Sequence, residues 1–156
     1  MATPRPLFIP VLLGTPRQGR MSKYVARFVL GELSKRDAIE TTLIDIRTLA
    51  VPITDAGEAL KDPHFSAMIM RADALVLVVP EYNRGYPGLL KHVLDTNLKD
   101  YIHKAVGICG VPIARKYFHL TQLGSLWGWR RFAHCQSASK MAESTLSNVR
   151  LLALCR

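Results

Sequence analysis

From Gly14 to Ser22 the chain reads Gly-Thr-Pro-Arg-Gln-Gly-Arg-Met-Ser. This stretch follows an apolar run and precedes a helical pattern. The free backbone N–H groups of a helix start, with the positive end of its dipole, therefore stand at this turn. Thr15 and Ser22 add hydroxyl donors, and Arg17 and Arg20 add planar guanidinium forks that match phosphate oxygens. The chemistry on offer is anion binding. Taken alone, the same residues also read as an ordinary strand-to-helix turn with solvated arginines. The spacing is neither GxGxxG nor GxxxxGK followed by Ser or Thr, so a classical dinucleotide fingerprint and a P-loop are both excluded.

A second loop reads Pro80-Glu81-Tyr82-Asn83-Arg84-Gly85-Tyr86-Pro87-Gly88. Tyrosine, proline and glycine dominate it, which makes it shaped and relatively stiff. A tyrosine face suits a flat apolar ring, and exposed backbone N–H groups suit that ring's polar edge. By itself the loop also reads as a turn packed by its own aromatics. Other reactive side chains are scattered. His64, His92 and His103 stand singly, and His119, His134 and Cys135 lack metal-ligand spacing, so no metal site is expected. Cys109, Cys135 and Cys155 are odd in number and widely spaced, which fits no disulfide framework. Cys109 lies in an apolar run and reads as inert core. Trp127-Gly128-Trp129-Arg130-Arg131-Phe132 interleaves aromatic and basic residues. It reads as an aromatic cluster ahead of a surface for nucleic acid or anionic lipid.

Positioning these loops requires a frame, and the hydrophobic pattern supplies one. Leu7–Leu13 is a buried-strand run, although Pro10 removes one ladder donor. Arg20–Lys35 has helical spacing, with Tyr24, Val25, Phe28, Val29 and Leu33 as its apolar side chains. Thr41–Ile46 reads as a second strand and Pro63–Arg71 as a short helix after a long connection. Ala74–Val79 is a third strand, Pro87–Leu98 a helix opened by proline, and Ala105–Cys109 a fourth strand ending at Gly110. Alternating strands and helices imply an α/β, doubly wound parallel sheet. Ligands in such sheets sit at the carboxyl ends of the strands, where both loops fall.

Bulk properties fit one domain of 156 residues. The formal charge is +9. Residues 111–156 carry seven Lys or Arg against one acid, so 7 − 1 = +6 of it lies there. No basic helix with base-reading geometry is visible, and nucleic-acid binding is not expected. No run approaches the roughly 20 apolar residues of a membrane span, and the first residues lack a secretory layout. The expected location is the cytoplasm.

The Gly14–Arg20 loop and the segment Pro80-Glu81-Tyr82-Asn83-Arg84-Gly85-Tyr86-Pro87-Gly88-Leu89-Leu90-Lys91 resemble the NADPH-dependent FMN reductase family. That family includes azo, quinone and chromate reductases. The second motif, P-E-Y-N-x-x-x-P-x-x-L-K, carries most of the likeness; in the first, Thr15 stands where serine is more usual. The resemblance implies a flavodoxin-like fold with strand order 2-1-3-4-5 and bound FMN reduced by NADPH or NADH. It implies that Thr15, Arg17 and Ser22, with Arg20 as a weaker candidate, hold the FMN phosphate. It also implies that Pro80, Glu81, Tyr82 and Asn83 run beside the flavin ring, with Arg84 and Tyr86 bordering the nicotinamide or substrate entrance. No side chain is assigned as catalytic, because the flavin carries the redox chemistry. The implied partners are a small-molecule electron acceptor and a second copy, in a homodimer or homotetramer. A catalytically weak binding module of the same fold is the alternative.

The likeness covers roughly residues 7–110. Beyond Gly110 the composition changes, and the family's glycine- and serine-rich third flavin loop is not visible. Residues 111–156 are therefore expected to form a divergent C-terminal segment of the single domain. Its last strand and helix would be atypical or missing, the fourth strand left as an edge, and FMN binding weakened.

Overall fold

In a computed structural model, residues 5–52, 61–83, 85–111, 133–134 and 150–154 are described. Elements follow in chain order as β1 (Leu7–Phe8), β2 (Val11–Leu13), α1 (Ser22–Ser34), β3 (Ile39–Glu40) and β4 (Leu43–Asp45). Then come α2 (Pro63–Arg71), β5 (Ala74–Pro80), α3 (Gly88–Thr96), β6 (Ala105–Val111), β7 (Ala133–His134) and β8 (Arg150–Leu154). Short 3-10 turns occupy Ile46–Thr48 and Leu98–Tyr101. No helix among the described residues is long and apolar enough to cross a membrane.

The main sheet runs β4-β2-β5-β6-β8-β7. Its first four strands are parallel, so the strands read from sequence as first to fourth stand in the order 2-1-3-4. Pro10 splits the first predicted strand in two. Lacking an N–H, it only accepts, from Val76 N at 3.0 Å, and β1 pairs with β3 in a separate two-stranded sheet. The last strand is atypical, as expected, but the expected open edge of the fourth strand is corrected. The place beside β6 is taken by β8, which runs antiparallel with Val106 opposite Leu154 and Gly110 opposite Arg150. The fourth strand is thus covered, not an edge, and β7 pairs with β8 on its far side.

Side chains alternate across the sheet as the pleat demands. Leu12, Ile44, Leu77 and Ile108 point to one face, under Phe65 and Ile69 of α2 and Leu90, Val93 and Leu94 of α3. Val11, Leu13, Val78 and Cys109 point to the other, under Val25 and Ala26 of α1. Helices on both faces explain why β5 reads as an unbroken apolar run. The predicted face of α1 is corrected in part. Tyr24 is 64% and Phe28 49% exposed, while Ala26 is buried and Leu30 half-buried. The inward stripe is thus rotated toward small and aliphatic residues that sit close on the sheet. Cys109 is an inert core thiol, and burial pushes its pKa up to about 12.

Two carboxylates fix the edges of this frame. Asp73 accepts from both terminal nitrogens of Arg5, at 2.9 and 2.7 Å, and from Phe8 N at 2.8 Å, pinning β1 to the start of β5. Asp62 caps α2 by accepting from Phe65 N, and its other oxygen accepts from Ala50 N, both at 2.9 Å. Pro63 follows at the first helical position, where its missing N–H costs nothing. Asp62→Ala is expected to lower stability by about 1 kcal/mol. Urea unfolding of the two proteins measures it, and equal midpoints would refute the capping role.

Candidate functional site

The first loop leaves β2 through Gly14, whose N–H donates to the Val78 carbonyl at 2.9 Å. A side chain at position 14 would start 2.8 Å from Leu90 Cδ2 and 3.2 Å from the Val78 oxygen. Loop, strand and helix α3 meet closely there, so a methyl group would have to displace the Leu90 side chain and crowd the Val78 carbonyl. Gly14→Ala is expected to push the loop outward and cost about 2 kcal/mol. A thermal melt within 1 °C of the parent would count against this close approach. Gly19 takes φ +64°, the left-handed conformation glycine adopts without strain, just before the chain turns into α1.

Four predicted phosphate ligands follow from this loop, and their surroundings differ. Arg20 is buried. Its Nη1 donates to the Thr15 carbonyl at 2.5 Å, and its Nη2 pairs with Asp45 at the end of β4. Each terminal nitrogen thus has a partner within the protein, so Arg20 braces the loop as well as standing beside it. Asp45 was not singled out from sequence. Its signal was only an acid closing the second strand, and it also accepts from Arg47 N at 3.0 Å. Ser22, the first residue of α1, is buried, and its Oγ has no hydrogen-bond partner among the described residues. Arg17 is exposed and lies 4.8 Å above the Tyr82 ring centroid. Thr15 is fully buried, with Oγ1 2.9 Å from the Tyr82 hydroxyl and 3.4 Å from Arg17 N.

The second loop begins as β5 ends. Pro80 is buried opposite Val111, and Glu81 N donates to the Val111 carbonyl at 3.3 Å. Reciprocal backbone bonds between Tyr82 and Gly85, each 2.9 Å, close a tight turn. Asn83 at its apex has φ +51°, a left-handed conformation that asparagine tolerates better than most residues. Asn83 is exposed, and Glu81, Tyr82 and Tyr86 are half-buried. Burial raises the Tyr86 pKa, aided by the charge of Asp95, so its phenol stays protonated. The fold therefore brings Thr15 and Arg17 of the first loop against Tyr82 of the second, at the carboxyl ends of β2 and β5. Arg84, the residues directly after Val111, the Trp127–Phe132 cluster, His119 and Cys135 lie outside the described residues.

Ser22 allows a physical test of ligand type. A buried hydroxyl without a partner leaves a donor unsatisfied, at a cost of about 1–3 kcal/mol that a suitable acceptor would remove. Here that donor sits at a helix N-terminus, next to a loop braced by a buried guanidinium. The surroundings favour an anionic acceptor such as a phosphate oxygen.

Comparison with known proteins agrees with this geometry. A family described as NADPH-dependent FMN reductase matches residues 9–138, extending beyond Gly110. A 2-hydroxy-1,4-benzoquinone reductase from Burkholderia sp. is 34% identical over 125 residues, covering 71% of this chain and 67% of that protein. An NADPH azoreductase from Bacillus sp. (strain OY1-2) is 29% identical over 106 residues, covering 65% of this chain and 56% of its own. The solved structure of FerB, a flavoenzyme NAD(P)H:(acceptor) oxidoreductase from Paracoccus denitrificans, superimposes with a TM-score of 0.52 at 25% identity. That match covers 67% of this chain and 60% of FerB. The chain spans little more than half the length of several curated relatives it matches. With the two loops joined at the sheet's carboxyl edge and the family match running through both, this chain belongs to the NADPH-dependent FMN reductase family.

Proposed function

We propose that this chain is an FMN-dependent oxidoreductase that takes electrons from NADPH or NADH and passes them to a small-molecule acceptor. The acceptor classes are those named for relatives, quinones and azo compounds, with free flavin and metal oxyanions as further candidates. The observation that carries the reading is the buried Ser22 hydroxyl at the start of α1, without a partner among the described residues and suited to donate to an FMN phosphate. Arg17 and the backbone N–H groups that open α1 would complete the phosphate site, with Arg20 holding the loop in shape. Pro80, Glu81, Tyr82 and Asn83 would border the flavin ring, with Arg84 beside them. When bound, FMN would supply the two-electron chemistry, and these residues would hold and orient it. We read the working form as a cytoplasmic homodimer or homotetramer, on the family resemblance alone.

The test is a titration of the purified protein with FMN and with riboflavin, followed by anaerobic addition of NADPH. Saturable binding that favours FMN, and bleaching of the bound flavin's visible absorption, are the expected results. Ser22→Ala should narrow the preference for FMN over riboflavin by about ten-fold. A protein that binds neither flavin would overturn the proposal.

A further inference from the structure

Thr15 and Tyr82 stand on different loops, separated by 67 positions, yet their hydroxyls meet at 2.9 Å. Thr15 has no exposed surface, and its Oγ1 also faces Arg17 N at 3.4 Å. The Thr15 carbonyl is held as well, by Arg20. Both polar groups beyond the backbone nitrogen of this residue are therefore engaged inside the protein. The ring of Tyr82 meanwhile supports the Arg17 guanidinium at 4.8 Å. One tyrosine thus touches two residues of the anion loop, through its hydroxyl and through its face.

We infer that Thr15 and Tyr82 are the two halves of a latch. The latch fixes the spacing between the phosphate loop and the ring loop. Tyr82 acts as a positioning residue for both. Its hydroxyl holds Thr15, and its aromatic face parks Arg17 over the site through a cation–π contact. The inference rests on the proposed FMN site and deepens it. FMN would have to engage both loops at once, whereas riboflavin, lacking the phosphate, engages the ring loop alone. A ligand that bridges two sites gains affinity only when their separation is held at the bridging distance. Loosening the latch should therefore weaken FMN while leaving riboflavin nearly untouched. The neighbouring groups allow this. Gly14 N is bonded to Val78 and the Tyr82–Gly85 turn closes on itself, so each loop keeps its own shape when the joint between them is cut.

The experiment compares dissociation constants for FMN and riboflavin in the full chain and in Thr15→Val, Tyr82→Phe and the double variant. Tyr82→Phe keeps the ring under Arg17 and removes only the hydroxyl. Each single variant is expected to lower the FMN preference about five-fold, and the double variant no further, because both cut the same bond. Thr15→Ser, which restores a hydroxyl, should recover the parent preference. If Thr15 instead held the phosphate directly, Thr15→Val would weaken FMN while Tyr82→Phe left it unchanged, or the two effects would multiply. Either result overturns the latch while leaving the FMN site intact. Equal losses for FMN and riboflavin would also overturn it, since they would mean general damage to the site. Melting curves of each variant, matched to the parent, confirm that the comparison concerns folded protein. A parent chain that binds neither flavin refutes the functional reading and the latch together.

Discussion

Replacing Arg20 by methionine is expected to lower the stability of the flavin-free protein by about 3 kcal/mol, a fall of about 10 °C in melting temperature. Arg20 is a buried guanidinium with 5% of its side chain exposed, paired with Asp45 and donating to the Thr15 carbonyl. Methionine fills much of the same volume but leaves the Asp45 carboxylate and the Thr15 carbonyl without that donor. The effect belongs at the low end for a broken buried pair, because the Asp45 side chain is 28% exposed and water can reach it. Arg20→Lys should recover only part of the loss, since one ammonium cannot reproduce a fork aimed at two acceptors. The measurement is thermal and urea unfolding without added flavin. Unchanged stability combined with weaker FMN binding would show that Arg20 serves the phosphate after all. Under the bracing role, stability and FMN affinity fall together.

Arg20 also shows where sequence reading reaches its limit. Its type and position, in a loop opening a helix, are those of a phosphate ligand. What its pattern does not show is its partner Asp45, twenty-five positions away and brought beside it because β4 pairs with β2. Local pattern gives residue types, whereas partners arise from sheet order. Thr15 follows the same logic, its hydroxyl meeting a tyrosine on the other loop that local pattern does not reveal. By contrast Ser22 is fixed by local geometry alone, as the first residue of a helix, and its expected donor role meets a hydroxyl unpartnered among the described residues.

The parallel core was legible because burial on two faces leaves a strong trace. Val76 to Val79 cannot alternate in polarity when helices cover both sides, and the run at β5 marks the centre of the sheet. The short helix read from Pro63 is α2, with Pro63 at its first helical position. Two features were harder to read. On α1, Tyr24 and Phe28 share the helical period of buried residues but face outward, because close approach to the sheet favours Ala26 and Leu30. At the far edge, the five residues of β8 carry no signal of direction. An antiparallel partner and a parallel one place alternate side chains on the same faces, and only the connection decides between them.

Asp100 carries the second large effect, and it depends on pH. The carboxylate lies buried in the 3-10 turn after α3, accepting from Ser66 Oγ at 2.6 Å, Asn97 Nδ2 at 2.9 Å and Lys61 Nζ at 3.2 Å. Burial alone would raise its pKa. The bonds from Ser66, Asn97 and Lys61 outweigh burial and hold it below the ordinary value of 3.8. A depressed carboxyl contributes stability that is present above the unfolded pKa and lost as pH falls through the lower folded one. Asp100→Asn keeps the shape but removes the charge, and it turns an amide donor toward groups that also donate. At pH 7 the variant is expected to be about 2 kcal/mol less stable than the parent. The gap should close as both are acidified below the folded pKa, where the parent carboxyl is itself neutral. Asp62 and Asp73 also have lowered pKa values and titrate in the same window. They are present in both proteins, so their contributions cancel in the difference. Urea unfolding at pH 7, 5 and 3 follows the gap directly. A difference that stays constant with pH would mean the network works through shape alone, and the charge of Asp100 would have no part in holding α2 against the turn that follows α3.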